Sequence, residues 1–397
     1  MKNYRNVTED IFWIGASDTR LSRFENIFPI PRGVSYNSYA VIDEKICLFD
    51  TADVSVADQY IENLQALLGD RTPDYQVILH MEPDHCSQIA RVAGMYPDMT
   101  LVGSAQAFKF LHQFFPELDD MKKQIVKEGD SLSTGHHEFS FVAAPMVHWP
   151  EVLFAYDKES GALFSADAFG TFGAIETGLF ADEYDFEKEF LDDARRYYAN
   201  IVGKFGGQVQ LVLKKAAGLD IKYICPLHGP VWRKDISWFI DKYQKWSSYE
   251  AETDDILLVY GSLYGHTASA ARKVAEEIAA TGARVSVYDV SGTHLSVLIG
   301  EAWRCRRIVI ISPTYNGGIY IPVRDLIEDM AALGLKNRKF FLGQNGTWAP
   351  MSGKLMAEKL TALAGCTVSD NILTITSALH DEDEAAVKAF AAEVAGA

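Results

Sequence analysis

The chain from Asp255 onward alternates regularly between short apolar runs and amphipathic segments. The amphipathic segments predict helices, and the apolar runs predict five strands: ILLVYGS, ARVSVYDV, RRIVIISPT, KFFLGQN and NILTITS. Because these runs are apolar almost without interruption, both faces of their sheet must be covered, which is typical of parallel sheets. This pattern predicts an α/β domain with a doubly wound five-stranded parallel sheet.

The chain before this point has a different rhythm, with short β-rich runs and a few interspersed helices. NSYAVIDEKICLFDT predicts a hairpin that turns at Asp43–Lys45, and ISWFIDKYQKW predicts a helix that closes this part. The polar, acidic stretch SSYEAETDD is expected to be a linker. A length of 397 residues suits two domains, which we place at residues 1–250 and 255–397.

The formal net charge of −17 makes nucleic-acid binding improbable, because such a field repels phosphate backbones. No apolar run approaches the length of a membrane span, and MKNYRNVTED lacks the apolar stretch of a signal peptide, so we expect a cytoplasmic protein. The five cysteines form no C-x-x-C pair, which argues against a fused rubredoxin module. If electrons reach this protein, we expect a separate carrier to bring them.

Potential metal ligands are concentrated after the predicted strand YQVILH. His80, Glu82, Asp84 and His85 lie within six residues, and three further candidates follow later strands: His148, Asp167 and His228. A single His or Asp after a strand is usually a turn residue, but turns do not require this whole set. Imidazoles and carboxylates could hold two divalent cations, with one carboxylate between them. Such ligands suit non-haem iron, and imidazole suits zinc equally.

The pattern H-x-E-x-D-H, followed by a distant His, Asp and His, resembles the flavodiiron branch of the metallo-β-lactamase fold. That resemblance implies an N-terminal αββα sandwich. It assigns one iron to His80, Glu82 and His148 and the other to Asp84, His85 and His228, with Asp167 bridging. It also implies a tyrosine near the di-iron pocket within RRYYANI, which makes Tyr198 a candidate, although ordinary helix packing explains this residue equally well. Cys86 is expected to be a buried small side chain.

Three loops follow predicted strands one, three and four of the second domain. The first opens a helix with Gly and hydroxyl residues, as phosphate cradles do: Ser262, Leu263, Tyr264, Gly265, His266 and Thr267. The other two loops comprise Pro313, Thr314, Tyr315, Asn316, Gly317 and Gly318, and Asn345, Gly346, Thr347 and Trp348. Each loop alone is better explained as a plain turn. Together they resemble the FMN site of flavodoxins, with Tyr315 and Trp348 as candidates to stack on the flavin.

These features favour an oxidoreductase in which electrons pass from FMN to two iron ions that reduce O₂, NO, or both. The main alternative is a zinc hydrolase of the metallo-β-lactamase class fused to a flavodoxin. Glu82 disfavours that alternative, because hydrolytic members carry His there and a carboxylate favours iron. A third possibility is an electron carrier with a vestigial metal domain.

The resemblance leaves the choice between O₂ and NO open. It implies rubredoxin, or a rubredoxin reductase system, as the electron donor, although some methanogen relatives use a reduced deazaflavin. It also implies a head-to-tail homodimer or a dimer of such dimers.

Overall fold

The computed structural model describes residues 3–397, which divide into two compact units. The first unit contains the chain up to Tyr197 together with Phe205–Gln244, and the second contains Tyr198–Lys204 and Lys245–Ala397. The limits 1–250 and 255–397 remain predictions, and the structural units differ from them in two respects. The long segment of the second unit begins already at Lys245. The second unit takes in a short segment that lies far earlier in the chain.

The first unit is built mainly of short strands. They are β1 (Arg5–Asn6), β2 (Ile11–Trp13), β3 (Ala16–Asp18), β4 (Arg23–Phe24), β5 (Phe28–Pro29), β6 (Val34–Tyr36), β7 (Tyr39–Val41), β8 (Cys47–Phe49), β9 (Tyr75–Ile78), β10 (Thr100–Gly103), β11 (Lys123–Ile125), β12 (Ser131–Ser133), β13 (Glu138–Ala143), β14 (Leu153–Asp157), β15 (Ala162–Phe164) and β16 (Tyr223–Cys225). Its helices are α1 (Ala57–Leu68), α2 (Pro83–Cys86), α3 (Ile89–Met95), α4 (Ala105–Phe114), α5 (Phe186–Glu189), α6 (Leu191–Tyr197) and α7 (Gly206–Ala216). Helix α8 (Ile236–Ser247) crosses the boundary between the units.

Two sheets form the core of the first unit. The larger has the order β1-β2-β7-β8-β9-β10-β11, and the smaller has the order β12-β13-β14-β15-β16. Phe49 of β8 stacks on Phe164 of β15 with 4.1 Å between ring centroids, and Phe139 of β13 packs edge-on against both rings. This aromatic contact holds the inner faces together, as in a sandwich of two sheets. The predicted hairpin is confirmed, since β7 and β8 pair antiparallel with Tyr39 opposite Phe49.

The second unit contains the strand–helix alternation predicted from the sequence. Its strands are β17 (Thr253–Tyr260), β18 (Val285–Asp289), β19 (Cys305–Tyr315), β20 (Gly318–Ile319), β21 (Lys339–Asn345), β22 (Thr367–Val368) and β23 (Leu373–Ile375). Its helices are a π-helix (Tyr198–Val202), α9 (His266–Ala280), α10 (Leu295–Arg304), α11 (Ile321–Ala332), α12 (Ser352–Thr361) and α13 (Glu384–Gly396).

The sheet of the second unit has the order β18-β17-β19-β21-β22, in which these neighbouring strands pair in parallel. This order is the doubly wound arrangement that was predicted. Two details differ from the prediction. The fifth strand position is shared, because both β22 and β23 pair with β21. The expected linker is also shorter, since Thr253–Asp255 already belong to β17.

Within residues 3–397, no helix is both long enough and apolar enough to cross a membrane.

Candidate metal centre and cofactor cavity

Strand β9 and the turn after it place four of the predicted ligands. His80 lies two residues after the end of the buried strand, and Glu82 has the extended backbone of a helix N-cap residue. Pro83 occupies the first turn of α2, where its fixed φ fits and its missing N–H costs nothing. The short helix that follows carries Asp84 and His85. The change from extended to helical backbone therefore presents four ligands from six residues.

The other three predicted ligands lie in connections of the smaller sheet. His148 lies between β13 and β14, Asp167 follows β15, and His228 follows β16. Strands β15 and β16 are parallel neighbours, with Phe164 opposite Cys225, so their carboxyl ends meet at one edge. The side chains of His80, His85, Asp167 and His228 are almost fully buried there.

The seven side chains form two adjacent groups, one of His80, Glu82, His148 and Asp167 and one of Asp84, His85 and His228. In the first group, Glu82 Oε2 lies 3.2 Å from His80 Nε2 and 2.9 Å from His148 Nε2. Asp167 Oδ2 lies 3.3 Å from His80 Nε2 and 3.2 Å from His148 Nε2. All four side chains therefore converge on one point.

The second group converges in the same way. Asp84 Oδ2 lies 3.3 Å from both His85 Nε2 and His228 Nε2. Asp167 Oδ1 lies 3.0 Å from His85 Nε2 and 3.6 Å from His228 Nε2. Asp167 thus presents one carboxylate oxygen to each group.

In the second group, the short distances between side-chain atoms are better explained by a shared cation than by hydrogen bonds. His228 Nε2, His85 Nε2, Asp167 Oδ1 and both carboxylate oxygens of Asp84 are buried, and within the described chain none has a hydrogen-bond partner. Orphaned buried polar atoms are costly unless something satisfies them. Two donors bonded at about 2.1 Å and at right angles to one cation are about 3.0 Å apart. The spacing in both groups is close to that value.

The electrostatics of the centre also require positive charge. Burial alone would lower the pKa of His148, but hydrogen bonds to Asp167 and Glu82 outweigh it and raise this pKa to about 9. Burial likewise opposes charge on His85, whereas Asp84 and Asp167 raise its pKa to about 9. Three carboxylates in a buried space therefore need compensating positive charge. Either protonated imidazoles or bound cations can supply it.

Three groups that the sequence did not suggest orient the ligands. Glu151 Oε1 lies 2.8 Å from His80 Nδ1 and accepts the N–H of Met81, while Ser35 O lies 2.7 Å from His228 Nδ1. Asp50 Oδ1 accepts the N–H of His80. Such contacts fix the orientation of a ligating imidazole. Glu151 could have been noticed, since it lies three residues after His148, but a single acidic residue gives no pattern.

Within the segment RRYYANI, the tyrosine whose ring contacts a candidate ligand is Tyr197, and the role of Tyr198 stays a prediction. The ring of Tyr197 lies 5.6 Å from the ring of His228, and its buried hydroxyl has no hydrogen-bond partner within the described residues. The ring of Tyr198 instead packs against Trp246 in the second unit. The reason is local: α6 ends at Tyr197 and a π-helix begins at Tyr198, which changes the direction of successive side chains.

Cys86 is buried and donates a hydrogen bond from Sγ to Met81 O at 3.3 Å. Burial raises the pKa of its thiol, which disfavours the thiolate that a metal would need.

The second unit contains a cavity of about 440 Å³ at the carboxyl ends of its strands. Its lining consists of Leu263, Tyr264, His266, Thr267, Pro313, Thr314, Tyr315, Asn316, Gly317, Asn345, Gly346, Thr347, Trp348, Ala349, Met351 and Ser377. All three predicted loops thus meet at one site. Of the predicted residues, Ser262, Gly265 and Gly318 lie outside the lining. Sequence reasoning missed Ala349, Met351 and Ser377. Ser377 could have been found, because it follows the fifth strand position and the other loops of the site were predicted from their positions after strands.

The cavity suits a planar aromatic ligand with an anionic tail. Tyr264 and Trp348 at its rim are each 91% exposed, which is unusual for large aromatic side chains that lack a ligand. Asn316 and Gly317 have φ values of 51° and 73°, and they form the tight turn between the antiparallel strands β19 and β20. The first amides of α9 have no acceptor within the helix; that of Ala268 bonds to Ser262 Oγ, which leaves those of His266 and Thr267 for an anion.

Comparison with known proteins shows the family of the chain. A model described as "ODP family beta lactamase" matches residues 34–229, which include all seven candidate ligands. The nitric oxide reductase of Moorella thermoacetica is 30% identical over 359 residues, which cover 90% of this chain and 89% of the relative. The chain belongs to the flavodiiron protein family.

Further relatives agree with this assignment. The anaerobic nitric oxide reductase flavorubredoxin of Aeromonas hydrophila is 31% identical to this flavodiiron protein, over 84% of this chain and 68% of the relative. The solved structure of rubredoxin oxygen:oxidoreductase from Desulfovibrio gigas superposes with a TM-score of 0.91 at 26% identity, covering 99% of this chain and 98% of the other. The flavodiiron protein from Giardia intestinalis has the same fold, with a TM-score of 0.92 at 23% identity, 99% coverage of this chain and 96% of the other.

The predicted fold, a metallo-β-lactamase-like sandwich followed by a flavodoxin-like sheet, is therefore confirmed. The protein is a flavodiiron oxidoreductase, and the zinc hydrolase alternative is not supported.

Proposed function

We propose that this flavodiiron protein passes electrons from one bound FMN to two iron ions, which reduce O₂ to water, NO to N₂O and water, or both. The observation that carries the proposal is the position of Asp167. Its two carboxylate oxygens face separate groups, each with two imidazoles and one further carboxylate. That geometry is the one required of a ligand that bridges two cations.

The side chains have separate roles in this proposal. His80, Glu82 and His148 would hold one iron, and Asp84, His85 and His228 the other, while Asp167 sets their separation. When bound, the iron ions would supply the electrons and the open coordination positions that O₂ or NO requires. Glu151 and Ser35 hold His80 and His228 in the orientation that ligation needs. Phe24 and Tyr36 pack edge-on against His228 and shield this side of the centre from water.

The cavity of the second unit is proposed to hold FMN, and two features support this. Tyr315 and Trp348 supply aromatic faces for the isoalloxazine ring, and the loop before α9 supplies amides for the phosphate. A separate donor would deliver electrons, with rubredoxin or its reductase system as the proposed partner. The name of the Desulfovibrio gigas relative, a rubredoxin oxygen:oxidoreductase, supports that choice.

The decisive experiment is anaerobic stopped-flow spectroscopy of the fully reduced protein, mixed separately with O₂ and with NO. We expect rapid flavin reoxidation with at least one of the two gases. The purified protein should contain about one FMN and two irons per chain. Stoichiometric zinc in protein produced with ample iron would contradict the proposal, and so would release of FAD or of no flavin on denaturation.

A further inference from the structure

The proposed flavin cavity has almost no charge of its own. Among its lining residues within the described chain there is no Asp, Glu, Lys or Arg. His266 is therefore the single lining side chain that can carry a positive charge. FMN, by contrast, would bring a phosphate with a charge of about −1.5 to −2 at neutral pH.

The phosphate loop offers neutral hydrogen-bonding groups but little positive charge. Ser262 Oγ accepts the N–H groups of Gly265 and Ala268, so this hydroxyl oxygen shapes the loop. Thr267 is buried, and its Oγ1 accepts a hydrogen bond from Asn345 Nδ2 at 3.2 Å. The N-terminus of α9 adds only about half a positive charge. Amides, hydroxyls and helix dipole together leave much of a dianion's charge uncompensated.

His266 lies where compensation is needed. It is the first residue of the 15-residue helix α9, and it follows Gly265, whose φ of 95° produces the sharp entry into the helix. The side chain is exposed and lines the cavity. We propose that His266 is the cation that recognises the flavin phosphate, and that it makes the preference for FMN over riboflavin dependent on pH. This inference rests on the proposed function, in which the cavity binds FMN.

Other charged groups near this end of the sheet have defined positions. Tyr264 and Tyr315 are the other titratable side chains of the lining. On neighbouring elements, Asp289 at the end of β18 accepts the N–H of Ser291, and Lys273 further along α9 pairs with Glu277. The connection from β23 to α13 carries three acidic residues, Asp381, Glu382 and Asp383. None of these groups adds a cation to the lining.

The sign of the pH effect follows from the two ionisations. Histidine gains its charge as the pH falls through the range of about 8 to 5. The phosphate remains largely dianionic above its second pKa of about 6. Between pH 8.5 and 6.5 the imidazole therefore becomes positive while the phosphate stays negative, so FMN should bind more tightly at pH 6.5. Riboflavin has no phosphate and should show no such change.

The test uses the full-length, metal-loaded protein from which flavin has been removed. FMN and riboflavin are titrated separately at pH 6.5 and 8.5, and flavin fluorescence gives both dissociation constants. We expect the FMN-over-riboflavin preference to be about fivefold larger at pH 6.5 than at pH 8.5. His266→Asn should lose this pH dependence, whereas His266→Lys should keep a high preference at both pH values. His136→Asn, on the first unit, serves as the control and should behave like the wild type.

Two results would overturn the inference while leaving the proposed function intact: FMN binding with a pH-independent preference in the wild type, or an unchanged pH dependence in His266→Asn. If His266→Asn fails to fold, the His266→Lys protein decides, because a preference that still varies with pH there contradicts the assignment. Absence of any flavin binding at either pH would refute both the inference and the FMN part of the proposed function.

Discussion

At the scale of single residues, we expect the proposed metal centre to depend on Asp167 more than on any other side chain. Replacing Asp167 with Ala should release at least one iron per chain, because it removes the only carboxylate shared by both groups. FMN content should not change, since no residue of the cavity belongs to the first unit. Metal analysis and flavin absorbance measure both quantities. Tyr198→Phe is the matched control and should retain both irons, and an Asp167→Ala protein that also did so would refute the bridging role.

A second residue-scale prediction concerns His137, which lies outside the metal centre. Its Nδ1 lies 2.8 Å from Asp157 Oδ2 and its Nε2 lies 2.8 Å from Asp10 Oδ2. Burial opposes the charge on His137, but hydrogen bonds to these carboxylates outweigh it and raise its pKa from 6.5 to about 9. Because the folded pKa is raised, the stabilisation is complete below about pH 6.5 and is lost as the pH rises through about 9.

We therefore expect His137→Asn to lower the free energy of unfolding by about 2–3 kcal/mol more at pH 6.5 than at pH 9.5. Urea unfolding followed by circular dichroism measures the difference at each pH. His136→Asn alters the neighbouring exposed histidine and should show no such dependence. A destabilisation of His137→Asn that is equal at both pH values would show that the charge on this imidazole contributes nothing.

The residue scale also shows what the sequence could reveal. The seven candidate ligands were recognisable because their spacing forms a pattern that turn residues do not require. Asp50 and Glu151 were not recognisable, since each is one acidic residue among 54 and its role depends on the fold. Tyr197 was not singled out, because nothing in RRYYANI indicates that a π-helix replaces the α-helix at Tyr198.

At the scale of secondary-structure elements, the junction between β17 and the phosphate loop is closely packed. A Cβ on Gly261 would lie 2.5 Å from Cδ1 of Tyr320 and 3.2 Å from Cγ2 of Val323. Gly261→Ala should therefore displace the loop and weaken FMN binding about tenfold, as overpacking of about 1–3 kcal/mol implies. Equilibrium titration with FMN measures this, and the iron content should remain unchanged.

The control for this variant is Gly292→Ala, in the connection between β18 and α10, where an added Cβ would meet no atom within 4 Å. Equal FMN affinity in both variants would mean that the contact with Tyr320 has no influence on the loop.

Strand prediction succeeded where apolar runs were long and failed where pairing partners decide the structure. The runs that became β17, β19 and β21 are mostly buried, which their composition indicates directly, whereas β18 at the edge of the sheet is only partly buried. The pairing of Thr367–Val368 with Lys339–Phe340 could not be foreseen, because a two-residue strand has no periodicity. The start of β17 at Thr253 was also missed, because an acidic Thr-Asp-Asp stretch has the composition of a linker.

At the scale of the whole molecule, each proposed site is built from residues of one unit only. Electrons must therefore pass from one unit to another, within a chain or between two chains. We expect a head-to-tail homodimer in which the flavin of one chain serves the irons of its partner. One variant would lack metal, with Asp84→Ala and His228→Ala, and another would bind FMN poorly, with Thr267→Ala and Trp348→Ala.

Each of these variants should be inactive alone, and mixed dimers formed by co-expression should recover part of the activity. The recovery has a simple reason: in a head-to-tail mixed dimer one flavin and one pair of irons remain intact and adjacent. A fully active monomer would contradict the prediction, and so would mixed dimers without any activity.

The second unit contains a segment, Tyr198–Lys204, that the chain supplies between α6 and α7 of the first. Asn200 Nδ2 donates to Ser296 O, and Gly203 O accepts from the hydroxyl of Tyr249, so the segment is held by its own unit. When the second unit melts, this segment must come free. The segment is joined by a peptide bond to Tyr197, whose ring packs against His228, so its release should disturb the first unit as well. The two halves should consequently melt together, and scanning calorimetry should show one endotherm where a chain divided at a simple linker would show two.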